Sequence, residues 1–170
     1  RASKLWLARR PTPWLRTSRI CVTEITSPMP GVVHLLSDVP DPVFAQGVVG
    51  PGLALEPIGA GGQDVVAPIP GRIAKLHPHA FVISSDELTV LVHLGIDTVQ
   101  LNGAGFVMHA AEGDEVRAGD VLITWQPDEV RAGGRSAICP IVVLDNSAED
   151  LTTLVEPENM VSPGDALLEV

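Results

Sequence analysis

The chain contains no tyrosine, three tryptophans, three phenylalanines and two cysteines among its 170 residues. Cys21 and Cys139 are far apart and lack the C-x-x-C spacing of redox and zinc sites. Neither a disulfide framework nor a cysteine metal centre is therefore expected, and a reducing cytoplasm fits this composition. Long stretches with helical periodicity are scarce as well, which argues against an α-helical or α/β fold.

Short apolar runs and frequent turn residues take the place of helical patterns. Valine, isoleucine and leucine occur in short runs that are separated by glycine, proline, aspartate and serine, with 16 glycines and 15 prolines in total. This pattern predicts an all-β fold, and the recurring Gly-Asp turns favour a compact sandwich or barrel. The sequence also predicts three short helices, at Asp41–Ala45, Pro127–Ala132 and Ser147–Leu151.

Positive charge is concentrated at the start of the chain. Six of the 11 basic residues lie in the first 19 positions, so residues 20–170 carry 5 basic and 21 acidic groups, a net charge of −16. An acidic body of this size repels nucleic acid and favours encounter with a basic partner. Nucleic-acid binding is therefore not expected.

The first 23 residues form a segment with its own composition. It is basic, its apolar residues are interrupted by Pro11 and Pro13, and no run in it is long enough for a membrane span or a signal-peptide core. We predict a disordered tail here, with a weak interfacial anchor and a transit segment as the alternatives. Residues 24–170 are predicted to form one domain.

Two internal repeats indicate related β-turns. Residues 27–36 and 67–76 share the pattern small-Pro-x-Pro-Gly followed by a strand, and residues 112–122 resemble residues 161–168 around a Gly-Asp turn. A glycine with positive φ and an aspartate that bonds its own backbone both reverse the chain between strands.

The segment Leu91–Val99 carries the most specific signal. It places His93 at the end of an apolar strand, before a glycine turn and Asp97, and His79 precedes the partner strand of the same predicted hairpin. Residues at facing hairpin ends are neighbours, so the two imidazoles could share a ligand. The alternative is that each is an ordinary surface or half-buried histidine.

The motifs around these histidines resemble those of one known family. They are Asp41-Pro42-Val43-Phe44-Ala45, Val49-Gly50-Pro51-Gly52, Ala67-Pro68 to Gly71, His79-Ala80-Phe81, and His93-Leu94-Gly95-Ile96-Asp97-Thr98-Val99 leading to Leu101-Asn102-Gly103-Ala104-Gly105-Phe106. Over residues 24–170 the chain resembles enzyme IIA, glucose class, of the bacterial phosphoenolpyruvate-dependent sugar phosphotransferase system, most closely the actinobacterial glucose or N-acetylglucosamine type.

The resemblance implies an all-β barrel-sandwich hybrid with short helical turns, and a phosphotransferase component that works in the cytoplasm during sugar uptake. His93 would accept a phosphoryl group on Nε2 from the phosphocarrier HPr, with the other ring nitrogen bonded to backbone. His79 would support the phosphoryl group, which then passes to a cysteine of a IIB domain within the IIB/IIC permease. Regulatory target proteins and peripheral membrane contact are also compatible with the resemblance.

The resemblance further implies an exposed docking face for these partners. Its apolar members are Val43, Phe44, Val48, Val49, Leu91 and Val99, with the carboxylates Asp41 and Asp97 at its edge. No cofactor is required, although zinc could bind between His79 and His93 at a regulatory interface. One departure stands out, because His77 occupies the position where some family members have a threonine, two residues before His79.

Two other functions deserve comparison. His77-Pro78-His79 and His93-x-x-x-Asp97 look like the zinc-binding elements of lysostaphin-type metallopeptidases, but the two elements occur here in the opposite order. A biotinyl or lipoyl carrier would need a lysine at a hairpin tip, and beyond residue 20 only Lys75 is available, in a strand-like run.

Overall fold

The computed structural model describes residues 22–170, and within them the chain forms fourteen strands and two short α-helices. The strands are β1 (Glu24–Thr26), β2 (Gly31–Leu35), β3 (Gly52–Pro57), β4 (Gln63–Val66), β5 (Gly71–His77), β6 (Ala80–Ser84), β7 (Thr89–His93), β8 (Phe106–Met108), β9 (Glu115–Val116), β10 (Val121–Trp125), β11 (Cys139–Leu144), β12 (Thr152–Thr153), β13 (Met160–Val161) and β14 (Ala166–Glu169). The helices are α1 (Pro42–Ala45) and α2 (Pro127–Ala132), and 3₁₀ turns cover Leu36–Asp38, Thr98–Leu101 and Ala148–Asp150.

The strands pair antiparallel in three sheets. The largest has the order β13-β2-β3-β11-β7-β6-β5-β9, and the two smaller sheets have the orders β4-β10-β8 and β1-β14-β12. The predicted all-β antiparallel sandwich with short helical turns is thereby confirmed. No helix in the part of the chain that the structure describes is long and apolar enough to cross a membrane.

The short helices follow from local sequence. Both α-helices have a proline in the first turn, where its fixed φ suits a helix and its missing N–H costs nothing. The Asp41 carboxylate caps α1 by accepting a hydrogen bond from the Val43 N–H at 2.8 Å. The two α-helices lie where the sequence predicts them, and the third predicted helix is a single 3₁₀ turn. The 3₁₀ turns at Leu36–Asp38 and Thr98–Leu101 are too short to produce a periodic signal.

The sequence repeat is also a structural repeat. The backbone N–H of Thr26 donates to the carbonyl of Pro68 at 3.0 Å. In the second copy the N–H of Val66 donates to the carbonyl of Pro28 at 2.8 Å. The two small-Pro-x-Pro-Gly turns therefore bond to each other reciprocally, and β2 and β5 both begin at the glycine that ends the motif.

The Gly-Asp turns join this arrangement in the same way. The Asp165 carbonyl accepts a hydrogen bond from the Ser27 N–H at 2.7 Å, and the Asp120 carbonyl accepts one from the Ala67 N–H at 2.9 Å. Each aspartate carboxylate also accepts a hydrogen bond from a backbone N–H three residues earlier, at 2.7 and 2.8 Å. Both predicted repeats thus belong to one set of paired turns.

The core has two parts, one on each face of the large sheet. The larger part joins residues from all three sheets, including the fully buried Trp125 and Ile141. The smaller part lies on the opposite face, because the side chains of neighbouring strand residues alternate between faces. Its buried members are Val39, Phe44, Ala54, Ile96, Ile138 and Val142.

The predicted division at residue 24 stays a prediction. Residues 1–21, and with them nearly all of the predicted tail and Cys21, lie outside the described residues. Thr23 and Val170 exchange two backbone hydrogen bonds of 3.0 Å, so the ordered pairing of β1 with β14 extends one residue before that division.

Candidate active site

His93 ends β7, and its ring is fixed by the backbone that follows. Its Nδ1 lies 2.6 Å from the carbonyl oxygen of Gly95. Because a carbonyl only accepts, Nδ1 must carry the proton and donate, which leaves the lone pair of the neutral ring on Nε2. Gly95 adopts φ +74°, and a Cβ there would lie 2.7 Å from Thr98 Cγ2, so this tight turn requires glycine.

The turn after His93 is held by buried hydrogen bonds. The Thr98 hydroxyl, 1% exposed, donates to the carbonyl of Leu94 at 2.7 Å. The Leu94 N–H in turn donates to the carbonyl of His79 at 2.7 Å, which ties the two histidine segments together. Sequence reasoning missed the role of Thr98, although a threonine that bonds the carbonyl four residues earlier is a known side-chain-to-backbone motif.

His79 lies beside His93, as the hairpin predicts. Strands β5 and β6 are joined by only Pro78 and His79, and Ala80 pairs with His93 across the sheet. The ring centroids of His79 and His93 are 5.3 Å apart, with the planes inclined by 62°. The structure therefore brings the two predicted imidazoles into one site, with the edge of one ring towards the face of the other.

Both imidazoles are biased towards their neutral forms. Burial lowers the pKa of His93, while the hydrogen bond to Gly95 and the charges of Asp41 and Asp97 act in the opposite direction. Burial also lowers the pKa of His79, and the adjacent His93 and His77 lower it further. A neutral imidazole keeps a lone pair that can attack an electrophile at neutral pH.

Half of the apolar residues of the predicted docking face are exposed. Val43, Val48 and Val99 have 48, 71 and 57% of their surface exposed, and Val49 and Leu91 are half-buried against the smaller core cluster. Val43 and Val48 belong to α1 and the residues after it, whereas Val99 follows His93 in the chain. Val43, Val48 and Val99 are therefore accessible to a partner protein.

The exposed position predicted for Phe44 is wrong. Phe44 is 8% exposed and belongs to the smaller core cluster, because α1 directs its ring towards the sheet. The ring centroids of Phe44 and His93 are 5.5 Å apart, with an interplanar angle of 59°. Phe44 therefore contributes a wall of the histidine site and supports the face from beneath.

The two carboxylates near His93 have different local roles. Asp41 is half-buried as the cap of α1, whereas Asp97 is exposed and adopts a left-handed backbone conformation with φ 59°. Both act electrostatically on His93. Aspartate tolerates this conformation better than most residues, which explains its place in the tight turn after His93.

Comparison with known proteins identifies the family. Residues 23–149 match the profile of the phosphoenolpyruvate-dependent sugar phosphotransferase system, EIIA 1. The chain belongs to this EIIA family. Its structure is similar to that of glucose permease IIA from Mycoplasma capricolum, with 30% sequence identity and a TM-score of 0.78, covering 87% of this chain and 95% of that one.

This EIIA is therefore a glucose-class phosphocarrier, a phosphotransferase component of sugar transport that works with HPr and with IIB/IIC components in general. The actinobacterial type stays a prediction. Membership of the family does not support the zinc hydrolase. Within residues 22–170, no group of three or more histidine, cysteine, aspartate or glutamate side chains is arranged to hold a metal ion. His79 and His93 supply two imidazoles, so zinc at this EIIA would need further ligands from a partner.

The remaining histidines lie in different surroundings. His77 is exposed, and its ring is stacked on that of His79. His34 lies 3.9 Å from Asp38, and His109 Nε2 lies 2.7 Å from the Thr124 hydroxyl, away from the pair in the sheet order. The sequence predicts no role for His34 or His109.

Proposed function

We propose that this EIIA accepts a phosphoryl group from phospho-HPr on Nε2 of His93 and passes it to the cysteine of a IIB component. The observation that carries the proposal is the 2.6 Å contact between Nδ1 and the Gly95 carbonyl. It selects the nitrogen that reacts, because it occupies Nδ1 and leaves the Nε2 lone pair free.

In the first step, the Nε2 lone pair attacks phosphorus while the P–N bond to the HPr histidine breaks, and that bonding pair returns to the HPr ring. The His93 ring then carries a positive charge, because Nδ1 keeps its proton. The Gly95 carbonyl, Asp41 and Asp97 all favour this charged form. In the second step the IIB cysteine thiolate attacks phosphorus, and the P–N bonding pair returns to Nε2.

His79 acts as a donor in this proposal. A phosphoryl group in transfer carries its charge on the equatorial oxygens, and catalysis consists mainly of positioning and charge stabilisation. The His79 ring, whose centroid lies 5.3 Å from that of His93, can offer an N–H to one of those oxygens. His79 then raises the rate without forming a bond to phosphorus.

The docking face supplies contact with the partner proteins. Val43, Val48 and Val99 would make apolar contacts around the site, while Asp41 and Asp97 would orient a basic partner surface. The acidic balance of the whole chain, with a net charge of −10, favours the same encounter. We place this exchange in the cytoplasm, with at most peripheral contact to the membrane that holds the permease.

The test is phosphorylation of the purified chain with phosphoenolpyruvate, enzyme I and HPr. We expect one acid-labile, alkali-stable phosphoryl group, which peptide mapping places on His93. The variant His93→Ala should lose the label completely and keep its circular dichroism spectrum, because the ring is only half-buried.

The matched control is His34→Ala, which also removes one partly exposed histidine from the large sheet and should be labelled like the unmodified protein. Full labelling of His93→Ala, or no labelling of the unmodified chain, would disprove the proposed function.

A further inference from the structure

The site contains three imidazoles in a row. His77 ends β5, Ala80 is its cross-strand partner, and His93 is the partner of Ala80 on the next strand. His79 leads into Ala80, and its ring contacts both of the others. The centroid of His79 is 5.7 Å from that of His77 and 5.3 Å from that of His93.

The two contacts of His79 differ in geometry. Its ring is nearly parallel to His77, with an interplanar angle of 16°, and steeply inclined to His93, at 62°. Parallel stacking restricts the tilt of one ring plane relative to the other, because tilting separates the two faces. The stack on His77 therefore sets the inclination of the His79 ring to His93.

The two rings of the proposed phosphoryl site are fixed by different means. His93 is held by the hydrogen bond from Nδ1 to the Gly95 carbonyl. Among the described residues, no hydrogen bond or ion pair is made by the His79 ring, so its orientation depends on its ring contacts. His77 supplies one of these, in the position where some family members have a threonine.

The backbone of this turn keeps His77 and His79 in place. Pro78 stands between them and fixes one backbone torsion. A Cβ at Gly103, whose φ is +85°, would lie 3.4 Å from Pro78 Cγ, so the loop after the 3₁₀ turn at Thr98–Leu101 packs closely on the proline. Lys75, two residues before His77, is paired with Glu112 at 3.5 Å and is directed to a different partner.

We infer that His77 is a positioning residue for phosphoryl transfer, which holds the His79 ring at its inclination to His93 by stacking. The inference rests on the proposed function. His77 makes no contact with the phosphoryl group in this inference. The property that matters at position 77 is a flat ring and not a charge.

The test compares His77→Ala with His77→Phe in single-turnover transfer from phospho-HPr. We expect His77→Ala to lower the transfer rate constant by about two- to tenfold, the factor that one aromatic pair contact supplies, without changing the KM for phospho-HPr. His77→Phe keeps a flat ring and should restore the rate. The ring protons of His79 should shift in the NMR spectrum of His77→Ala, because the stacked ring is gone.

Several results would overturn the inference. An unchanged rate in His77→Ala would do so, as would a loss in His77→Phe equal to that in His77→Ala. A raised KM with an unchanged rate constant would place His77 in docking instead. The two ideas fail in different ways. An unmodified chain that takes no label on His93 contradicts the proposed function, whereas a labelled chain whose His77 variants behave as just described contradicts only the inference.

Discussion

The two repeats begin alike and end differently. Strands β2 and β5 both follow a small-Pro-x-Pro-Gly turn, and the two turns bond to each other reciprocally. After β2 the chain leaves the sheet through α1, whereas after β5 it reverses within two residues. The first route brings Phe44 to within 5.5 Å of the His93 ring, and the second brings His79 to within 5.3 Å. The turns and strands that the repeats share form the scaffold. The segments that follow β2 and β5 differ, and each places one ring beside His93.

The largest difference between the two repeats is expected when a side chain is added to the glycine at the start of β2 or of β5. A Cβ at Gly71 would lie 2.5 Å from the Ser84 carbonyl oxygen, and its φ of +155° is unfavourable for other residues. At Gly31 the nearest atom, the Glu56 carbonyl oxygen, is 3.0 Å away. We expect Gly71→Ala to lower the free energy of unfolding by about 3–4 kcal/mol, and Gly31→Ala by about 1 kcal/mol.

Urea denaturation of the two variants measures this difference. Equal losses would mean that the turns are under the same constraint, in contradiction to their different geometry. The m-values should remain unchanged, because neither substitution alters the surface exposed on unfolding.

A smaller effect is expected from the ring that the first repeat contributes. Phe44→Ala removes a nearly buried ring from the smaller core cluster and should cost about 3 kcal/mol of stability. It also removes a neighbour of His93, so phosphoryl transfer should slow in the folded variant. The variant Val48→Ala, on the exposed part of the same segment, is the control and should leave stability within about 0.5 kcal/mol. A stability of Phe44→Ala equal to that control would contradict the burial of Phe44 in the smaller core cluster.

The smallest expected effect is on pH dependence. Burial lowers the pKa values of His93 and His79 in the folded chain, so the unfolded chain binds protons more readily. The stability that these two histidines contribute is fully present above the ordinary imidazole pKa of ~6.5. It is lost as the pH falls from there towards their lowered pKa values in the folded chain. Denaturation midpoints should decline between about pH 7 and about pH 5, and less so in His79→Phe. Midpoints that rise on acidification would contradict the lowered pKa values of His93 and His79.

Much of this arrangement could be predicted from short-range patterns. The His79–His93 hairpin, the opening turns of β2 and β5, and α2 all follow from alternation, glycine and proline placement, which act within a few residues. The motifs around His93 also indicate the family, because they are short stretches of contiguous sequence. The partner of the hairpin, β11, lies far away in sequence, and nothing local specifies that pairing.

The features that sequence reasoning missed depend on contacts across the fold. Phe44 is buried because α1 packs on Ala54 and Val142 from other strands, and an apolar residue in a short helix gives no sign of which way it faces. The stack of His77 on His79 depends on the two-residue connection and on the loop that packs on Pro78. Such contacts become visible only when the register of the sheet is known.

The hydrogen bond from His93 to Gly95 has a thermodynamic consequence for a carrier. The bond is made by the backbone of a turn that buried hydrogen bonds hold in place, so the His93 ring is already oriented with Nε2 free of that bond. In the proposed transfer the ring needs no rotation before Nε2 attacks, and the same carbonyl stabilises the positive charge of the loaded ring. Loading and unloading of this EIIA would then use one and the same ring orientation.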